Sequence, residues 1–449
     1  MVADIHHGDC RGGLPTFDAE SIDAIVTDPP YGLGFMGREW DTFSRARIDH
    51  REAQRTRKGT ARKSERWPSK NGRAGAPGGI HVEYDESVSG HRRFQSWCEE
   101  WARETYRVLR PGGYLVVFGG PRTFHRLTCG IEDAGFEIRD TLCWLFGSGF
   151  PKSTAPMNGM YSLPRTATRE QWRRFSTRAR TMAGTALKPA WEPIVLARKP
   201  LAGTVAQNVL AHGTGALNID GSRIATDETI TATRNIALGS SGSGVYGAAS
   251  VPGVYEQQPA GRWPANVILD EEAAALLDAE TGELISNSTG PSFHRSPDGD
   301  RGVYGQFKGQ LEVQGWEGSR GGPSRFFYCA KASRAEREAG LEHLVPVRRS
   351  DGREKDIDNP RLRTSERRND HPTVKPIALM RWLVRLVTPP GGAVLDPFMG
   401  SGSTLVAATL EGFAGIGIDL DAHYCEIARA RVAHWAAEAA RAPRQAVLF

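Results

Sequence analysis

The stretch from Gly392 to Asp419 constrains the fold more than any other part of this 449-residue chain. Gly392-Ala-Val-Leu-Asp396 reads as an apolar strand, and Pro397-Phe398-Met-Gly400-Ser-Gly402 as a tight glycine turn. A helix opens at Ser403-Thr404 and continues as Leu405-Val-Ala-Ala-Thr-Leu410; a second apolar strand, Gly412 to Asp419, ends in an acid. Strand, turn, helix and strand in this order make a βαβ unit, and such units build parallel sheets covered by helices. Asp419 falls roughly twenty residues beyond the glycine turn, the offset at which a nucleotide-type βαβ unit places a carboxylate for a ribose hydroxyl. Gly400 and Gly402 carry no Cβ and let backbone approach a ligand closely. The turn has neither the GxGxxG spacing nor a Walker Gly-Lys-Ser/Thr, which disfavours a pyrophosphate. An ordinary α/β turn is the plain alternative, and the acid at that offset argues against it.

A second signal lies near the other end. The apolar run Asp23-Ala-Ile-Val-Thr27 meets Asp28-Pro29-Pro30-Tyr31. Pro-Pro cannot continue a ladder, so the strand stops there. A carboxylate, a prolyl carbonyl and an aromatic ring are left together at its end. That set suits a planar ring bearing an exocyclic amine. The Asp28 carboxylate and the Pro29 carbonyl each accept a hydrogen bond from the amine, drawing its nitrogen toward sp³ geometry, while Tyr31 stacks on the ring. Alone, these four residues serve equally well as a strand-ending turn.

Together the two ends resemble the beta-class amino-group DNA methyltransferases, which use S-adenosylmethionine. In that family the Asp-Pro-Pro-Tyr segment comes first, a target-recognition region follows, and a Phe-x-Gly-x-Gly cofactor loop comes last, here Phe398-Met-Gly400-Ser-Gly402. His371-Pro-Thr373-Val-Lys375-Pro376 is similar to the family's cofactor-side segment, and His7-Gly-Asp9-Cys10 to the segment that meets the cofactor's adenine. The resemblance covers roughly residues 1–36, 91–200 and 370–437. It implies an α/β fold: a Rossmann-like, doubly wound methyltransferase sheet with circularly permuted motif order, plus a loop-rich target-recognition region. Ligands of such sheets bind at the carboxyl ends of strands where strand order reverses, and chain termini often lie close, so a permuted order costs little.

The resemblance also assigns roles. Asp28, Pro29, Pro30 and Tyr31 would hold and stack the target. Asp419 would take the cofactor's ribose, Asp9 with Cys10 its adenine, and Asp396, Phe398, Gly400 and Gly402 its methionine part; Thr373, Lys375 and Thr404 are further contacts. The sulfonium donor needs no metal, and the sequence has no metal-ligand cluster. The acceptor is adenine N6 or cytosine N4, since both amines fit one grip; Asp at the first tetrad position leans to adenine. The substrate is double-stranded DNA with the target base flipped out, in the manner of restriction-modification enzymes. The resemblance allows for a separate cognate restriction nuclease and suggests a homodimer. Two other readings stand beside it: an RNA or protein amide methyltransferase, which usually has Asn first in the tetrad, and a DNA-binding protein with a dead site.

Composition narrows the setting. No apolar run is long enough to span a membrane, and the start has no signal pattern, which points to the cytoplasm. Six scattered cysteines form no CxxC pair, so neither a disulfide framework nor a zinc knuckle is expected. Residues 42–76 hold eleven Lys/Arg against three acids, a basic block that outweighs the chain's net +5 and suits phosphates or solvent.

The expected organisation runs as follows: 1–36, first part of the catalytic core; 37–90, a basic mobile insertion; 91–200, core continued; 201–325, the target-recognition region; 326–370, a return strand, helix and linker; 371–449, the cofactor part. Phe94, Trp97, Trp101, Val108 and Leu109 share a helical stripe that Gly112-Gly113 ends. Tyr114–Phe118 reads as a buried strand, Pro121–Ala134 as a helix, and Phe136–Phe146 and Trp191–Arg198 as strands. Glu192 is either a pocket residue or an acid at the start of its strand. Phe35 serves the target or packing, and Lys152 a phosphate or solvent. Ser333-Arg-Ala-Glu336 reads as a capping box.

Overall fold

The computed structural model describes residues 3–32, 88–147, 168–174, 187, 190–226, 231–237, 250–257, 261–285, 320–330, 334–348 and 366–441. Phe35, Lys152 and Ser333, and nearly all of the basic insertion, lie outside these. The chain divides into two compact units, 1–218 with 330–449, and 219–329. Residues 201–218 thus cluster with the first unit.

Seven strands of the first unit lie in one sheet: β1 (Asp4–His7), β2 (Ile22–Thr27), β3 (Leu109–Phe118), β4 (Glu137–Leu145), β5 (Trp191–Arg198), β6 (Ala393–Asp396) and β7 (Ala414–Asp419). They run in the order β1-β7-β6-β2-β3-β5-β4. The pairs β1/β7, β7/β6, β6/β2 and β2/β3 are parallel, while β5 is antiparallel to both neighbours. From β6 the chain winds toward β1, and from β2 it winds toward β4. The order therefore reverses between β6 and β2, with Val394 opposite Ala24 and Leu395 opposite Ile25. Sequence neighbours of the two chain ends become spatial neighbours there, as the doubly wound reading requires.

Every residue of β2 is buried, as expected of a central parallel strand covered on both faces. Its one acid, Asp23, accepts from the Ala393 backbone N–H at 2.8 Å and pairs with Arg110. The helices that cover the unit are α1 (Val88–Val108), α2 (Phe124–Asp133), α3 (Val205–His212), α4 (Ile377–Val387), α5 (Ser403–Glu411) and α6 (Ala422–Arg441). On α1 the buried stripe is Phe94, Cys98, Trp101, Ala102, Thr105 and Val108, with Trp101 fully enclosed. No described helix is long and apolar enough to cross a membrane.

Three boundaries differ from the sequence reading. Helix α1 begins at Val88, so the expected division at residue 90 falls inside it. Gly112-Gly113 does not end a helix but lies within β3, where the pairing with β2 shifts register. The reason is close approach. Gly112 adopts φ +76°, and a Cβ there would come 2.4 Å from Asn208 Nδ2. Buried Asn208 donates to the carbonyls of Pro111 at 2.9 Å and Thr214 at 2.8 Å. Phe326–Ala330 is extended only from Tyr328, after a short 3-10 turn over Pro323–Phe326.

Trp101→Ala would leave a cavity beneath the sheet. The expected loss of stability is about 3–5 kcal/mol in urea unfolding; a loss below about 1 kcal/mol would contradict the packing described.

Candidate active site

The carboxyl ends of β1, β7, β6 and β2 carry, in that spatial order, Asp9, Asp419, Asp396 with its glycine turn, and Asp28. Residues near the N-terminus and residues near position 400 thus share one edge. What ties them is the Asp396 carboxylate. It accepts from Thr27 Oγ1 at 2.6 Å, from Thr404 Oγ1 at 2.5 Å and from the Phe398 backbone N–H at 3.0 Å. At 3% exposure, with both oxygens engaged from inside the chain, Asp396 holds β2, β6 and the start of α5 together rather than facing a ligand. Burial pushes its carboxyl up to about 7, against the bonds from Thr27, Thr404 and Phe398, and the charge of Asp28 adds to the rise. Thr404 is accordingly a support for Asp396.

The glycine turn is also shaped from within. Gly400 has φ +50° and Gly402 φ +79°. A Cβ on Gly400 would stand 2.6 Å from His371 Nε2, and one on Gly402 2.8 Å from the Ala428 Cβ. Both glycines therefore answer to the His371 ring and to α6. Beneath the turn, fully buried Arg431 of α6 donates to the Ser401 carbonyl at 2.7 Å and to the Ser401 and Ser403 hydroxyls at 3.1 and 3.2 Å. Burial draws its guanidinium down to about 10. Phe398 lies half-buried against Trp97 and Trp101, with ring centroids 5.6 and 5.4 Å away.

Asp419 accepts from the Gly400 N–H and from the Asp421 N–H, both at 2.8 Å, one on each oxygen. Burial raises its carboxyl above the ordinary range, against those two bonds. Asp9 is half-exposed; it caps the helical turn Cys10–Gly13 and pairs with Arg11 at 2.8 Å. Cys10 packs in the core with Leu14 and Trp101, and burial pushes its thiol up to about 12. The Thr373 backbone N–H donates to His371 Nδ1 at 3.4 Å.

At the end of β2, Pro29 is buried and Pro30 partly so. Asp28, 15% exposed, accepts from the Tyr31 hydroxyl at 2.8 Å and lies 3.2 Å from the Lys375 ammonium. Lys375, 7% exposed, also donates to Tyr31 Oη at 3.1 Å and to Glu192 Oε2 at 2.8 Å. Its Nζ lies 4.5 Å from the Phe118 ring centre and 5.9 Å from that of Trp144. Burial alone would lower the Lys375 pKa, but the Asp28 and Glu192 carboxylates outweigh it, so the ammonium stays charged. For Asp28 burial is the largest influence and the direction is upward; Lys375 opposes it and Glu192 adds to it.

The sequence reading grouped Lys375 with the cofactor residues, whereas its ammonium lies against the tetrad. Arg431 escaped the reading, and Thr27 and His371 entered it only as members of a strand and of a segment, without the contacts they make here. Thr27 stands next to the tetrad, but nothing local marks its partner. The apolar spacing around Arg431 gives no sign of a buried charge.

In the second unit, Arg223 stacks on Trp263 at 5.6 Å, and Arg262 and Arg325 flank the Phe326 ring at 4.8 and 4.4 Å. Trp263 is 66% exposed.

A family model described as DNA methylase matches residues 22–430. The type II methyltransferase M.HindIII of Haemophilus influenzae is 29% identical over 223 residues, 49% of this chain and 65% of that protein. The DNA adenine methyltransferase YhdJ of Escherichia coli is 36% identical over 85 residues, 18% of this chain and 29% of that one. The chain thus matches less than two thirds of either relative's length. Among solved structures, the PvuII DNA methyltransferase (cytosine-N4-specific) aligns with TM-score 0.41 and 14% identity over 95% of this chain and 85% of that one.

The raised Asp396 carboxyl makes a signed prediction. Its favourable contribution to stability is full below the ordinary value of 3.8 and is lost as pH rises through about 7. Urea unfolding of the wild type and Asp396→Asn at stepped pH should show the wild type's relative stability declining across that window, by on the order of 4 kcal/mol. A difference independent of pH would refute the assignment.

Proposed function

The chain belongs to the DNA methylase family, and from that premise we propose that it transfers a methyl group from S-adenosylmethionine to the exocyclic N6 of adenine in duplex DNA. The observation that carries this reading is the meeting of Asp28 and the Asp396–Gly402 turn at one reversal of strand order, across a shared hydrogen bond.

The residues present fit the cofactor. Each Asp419 oxygen holds one backbone N–H and keeps a lone pair for a ribose hydroxyl. The turn from Phe398 to Gly402 is fixed from beneath by Arg431, leaving backbone for the methionine part. Asp9, half-exposed next to the end of β1, would take the adenine amine. S-adenosylmethionine supplies an electrophilic methyl on a sulfonium with a neutral leaving group.

The rest falls to the tetrad. An ionised carboxylate accepts up to about four hydrogen bonds. Asp28 accepts from Tyr31 and Lys375 and so retains capacity for an amine N–H, with the Pro29 carbonyl as the second acceptor. Such a grip directs the nitrogen lone pair toward the donor, and attack in line is then mainly a matter of positioning. Asp28 is too enclosed for a base within a duplex to reach, so the base must leave the stack, at a cost of a few kcal/mol. The Arg–aromatic pairs of the second unit are of the type that contacts nucleic acid through charge and stacking. The preference for adenine rests on aspartate at the first tetrad position.

Labelled S-adenosylmethionine, unmethylated duplex DNA and digestion to nucleosides test the reading. Label on N6-methyladenine is expected; label on N4-methylcytosine would correct the base, and no label on varied DNA would overturn the proposal. Asp28→Ala should abolish transfer while cofactor affinity stays within a few-fold; equal loss of both would argue against its acceptor role. Trp263→Ala should weaken DNA binding in gel shift by roughly five-fold or more, given about 1–3 kcal/mol per base stacked on an aromatic ring, with cofactor affinity unchanged. Unchanged DNA affinity would remove Trp263 from the interface.

A further inference from the structure

We infer that Glu192 is a positioning residue for methyl transfer: acting through Lys375, it keeps the target pocket net negative and leaves the Asp28 carboxylate available to the accepting amine. This rests on the functional reading above and assigns a role to a residue outside the tetrad and the cofactor turn.

Strand direction places it there. Because β5 is antiparallel, its first residues lie at the edge where β3 ends; Ile194 is opposite Phe118. An acid at the start of this strand therefore reaches the carboxyl edge of the sheet, as Asp28 does from the end of β2. Glu192, opposite Trp144, is 22% exposed and 2.8 Å from Lys375.

The Lys375 ammonium has three N–H donors and three acceptors: Glu192 Oε2, Tyr31 Oη and Asp28 Oδ2. The Tyr31 hydroxyl in turn donates a hydrogen bond to Asp28 Oδ1, which closes the network. Two carboxylates and one ammonium leave this cluster with a charge of −1, among the rings of Tyr31, Phe118 and Trp144, where solvent screens little.

Charge moves during the reaction. The amine nitrogen forms its bond to the methyl carbon as the carbon–sulfur bond breaks with its electron pair remaining on sulfur. Positive charge passes to the amine, which afterwards loses a proton. A fixed net negative pocket stabilises that charge as it develops. Without Glu192, a 1:1 Asp28–Lys375 pair would remain. The Lys375 cluster would be neutral, one ammonium N–H would lose its acceptor, and the Asp28 charge would turn toward Lys375 instead of the amine.

The charged groups facing Asp28 are Lys375 from the segment before α4, Glu192 from β5 and Asp396 from β6, with the neutral Tyr31 hydroxyl donating from its own turn. Removing the Glu192 charge takes away an influence that raises the Asp28 pKa and leaves Lys375, which lowers it. The acid limb of the rate should therefore move to lower pH, even as the rate falls. Lost packing alone would not produce such a shift.

The test is single-turnover methyl transfer to DNA across pH, for wild type, Glu192→Gln and Glu192→Asp, with cofactor affinity measured separately by calorimetry. Expected for Glu192→Gln are a rate lowered about 10–100-fold, cofactor affinity within two- to three-fold, and an acid limb displaced to lower pH. Glu192→Asp, which keeps the charge, should recover part of the rate and hold the limb near its wild-type place. Should Glu192→Gln fail to fold, Glu192→Asp carries the test alone: a folded Glu192→Asp whose acid limb moves to lower pH despite its retained charge overturns the inference. An active wild type whose Glu192→Gln matches it in rate or keeps its acid limb overturns the inference while the functional reading stands. A Glu192→Asp variant no more active than a folded Glu192→Gln also overturns it. A wild type that transfers no methyl to any DNA overturns both.

Discussion

The hydrogen bond between Thr27 and Asp396 joins residues 369 positions apart, and the candidate site depends on it. A buried carboxylate accepts hydrogen bonds and cannot donate them while ionised, so it gathers donors from whatever elements surround it. Here it gathers one from β2, one from the start of α5 and one from the glycine turn. Asp23 makes a matching link further back along the same strands through the Ala393 N–H. The two acids fix β2 and β6 in register at both ends of their contact. The distance from the tetrad to the glycine turn is then set by covalent geometry and hydrogen bonds rather than by loops. Methyl transfer places few other demands on a protein, since its rate depends chiefly on the alignment of donor and acceptor. The desolvation of Asp396 is what that rigidity costs.

Much of this was legible in the sequence because it is local. The apolar runs of β2, β6 and β7, the Pro-Pro stop and the glycine turn are each written within a few residues, and the permuted order follows from their sequence. The stripe from Phe94 to Val108 gave the face that α1 buries. What the sequence could not show is whatever depends on a partner far along the chain. Gly112-Gly113 has the signature of a helix end, and only the Asn208 side chain against it explains a glycine inside a strand. Gly400 and Gly402 look free to meet a ligand, yet His371 and Ala428 occupy the space a Cβ would take. Lys375 sits in a segment associated with the cofactor, but its length carries the ammonium to Asp28. A long side chain decouples the position of its charge from that of its backbone, and motif position cannot register that.

The distribution of connections adds a last physical argument. At the amino edge of the sheet the links are short: α1 runs directly into β3, three residues join α2 to β4, and two join α5 to β7. Such links follow a helix that packs directly on the strands, and lengthening them would loosen that packing. At the carboxyl edge β2 ends at Thr27 and α1 begins at Val88, while β4 ends at Leu145 and β5 begins at Trp191. Both long excursions start beside Asp28 or Trp144, next to the pocket. A doubly wound sheet tolerates additions at that edge, since loop closure penalises length only weakly. The edge that holds Asp28, Lys375 and Glu192 is therefore also the edge at which length can be added without disturbing the clamp at Asp396. The buried hydrogen bonds of Asp396 lie behind that edge, so a change in what extends beyond it leaves them intact.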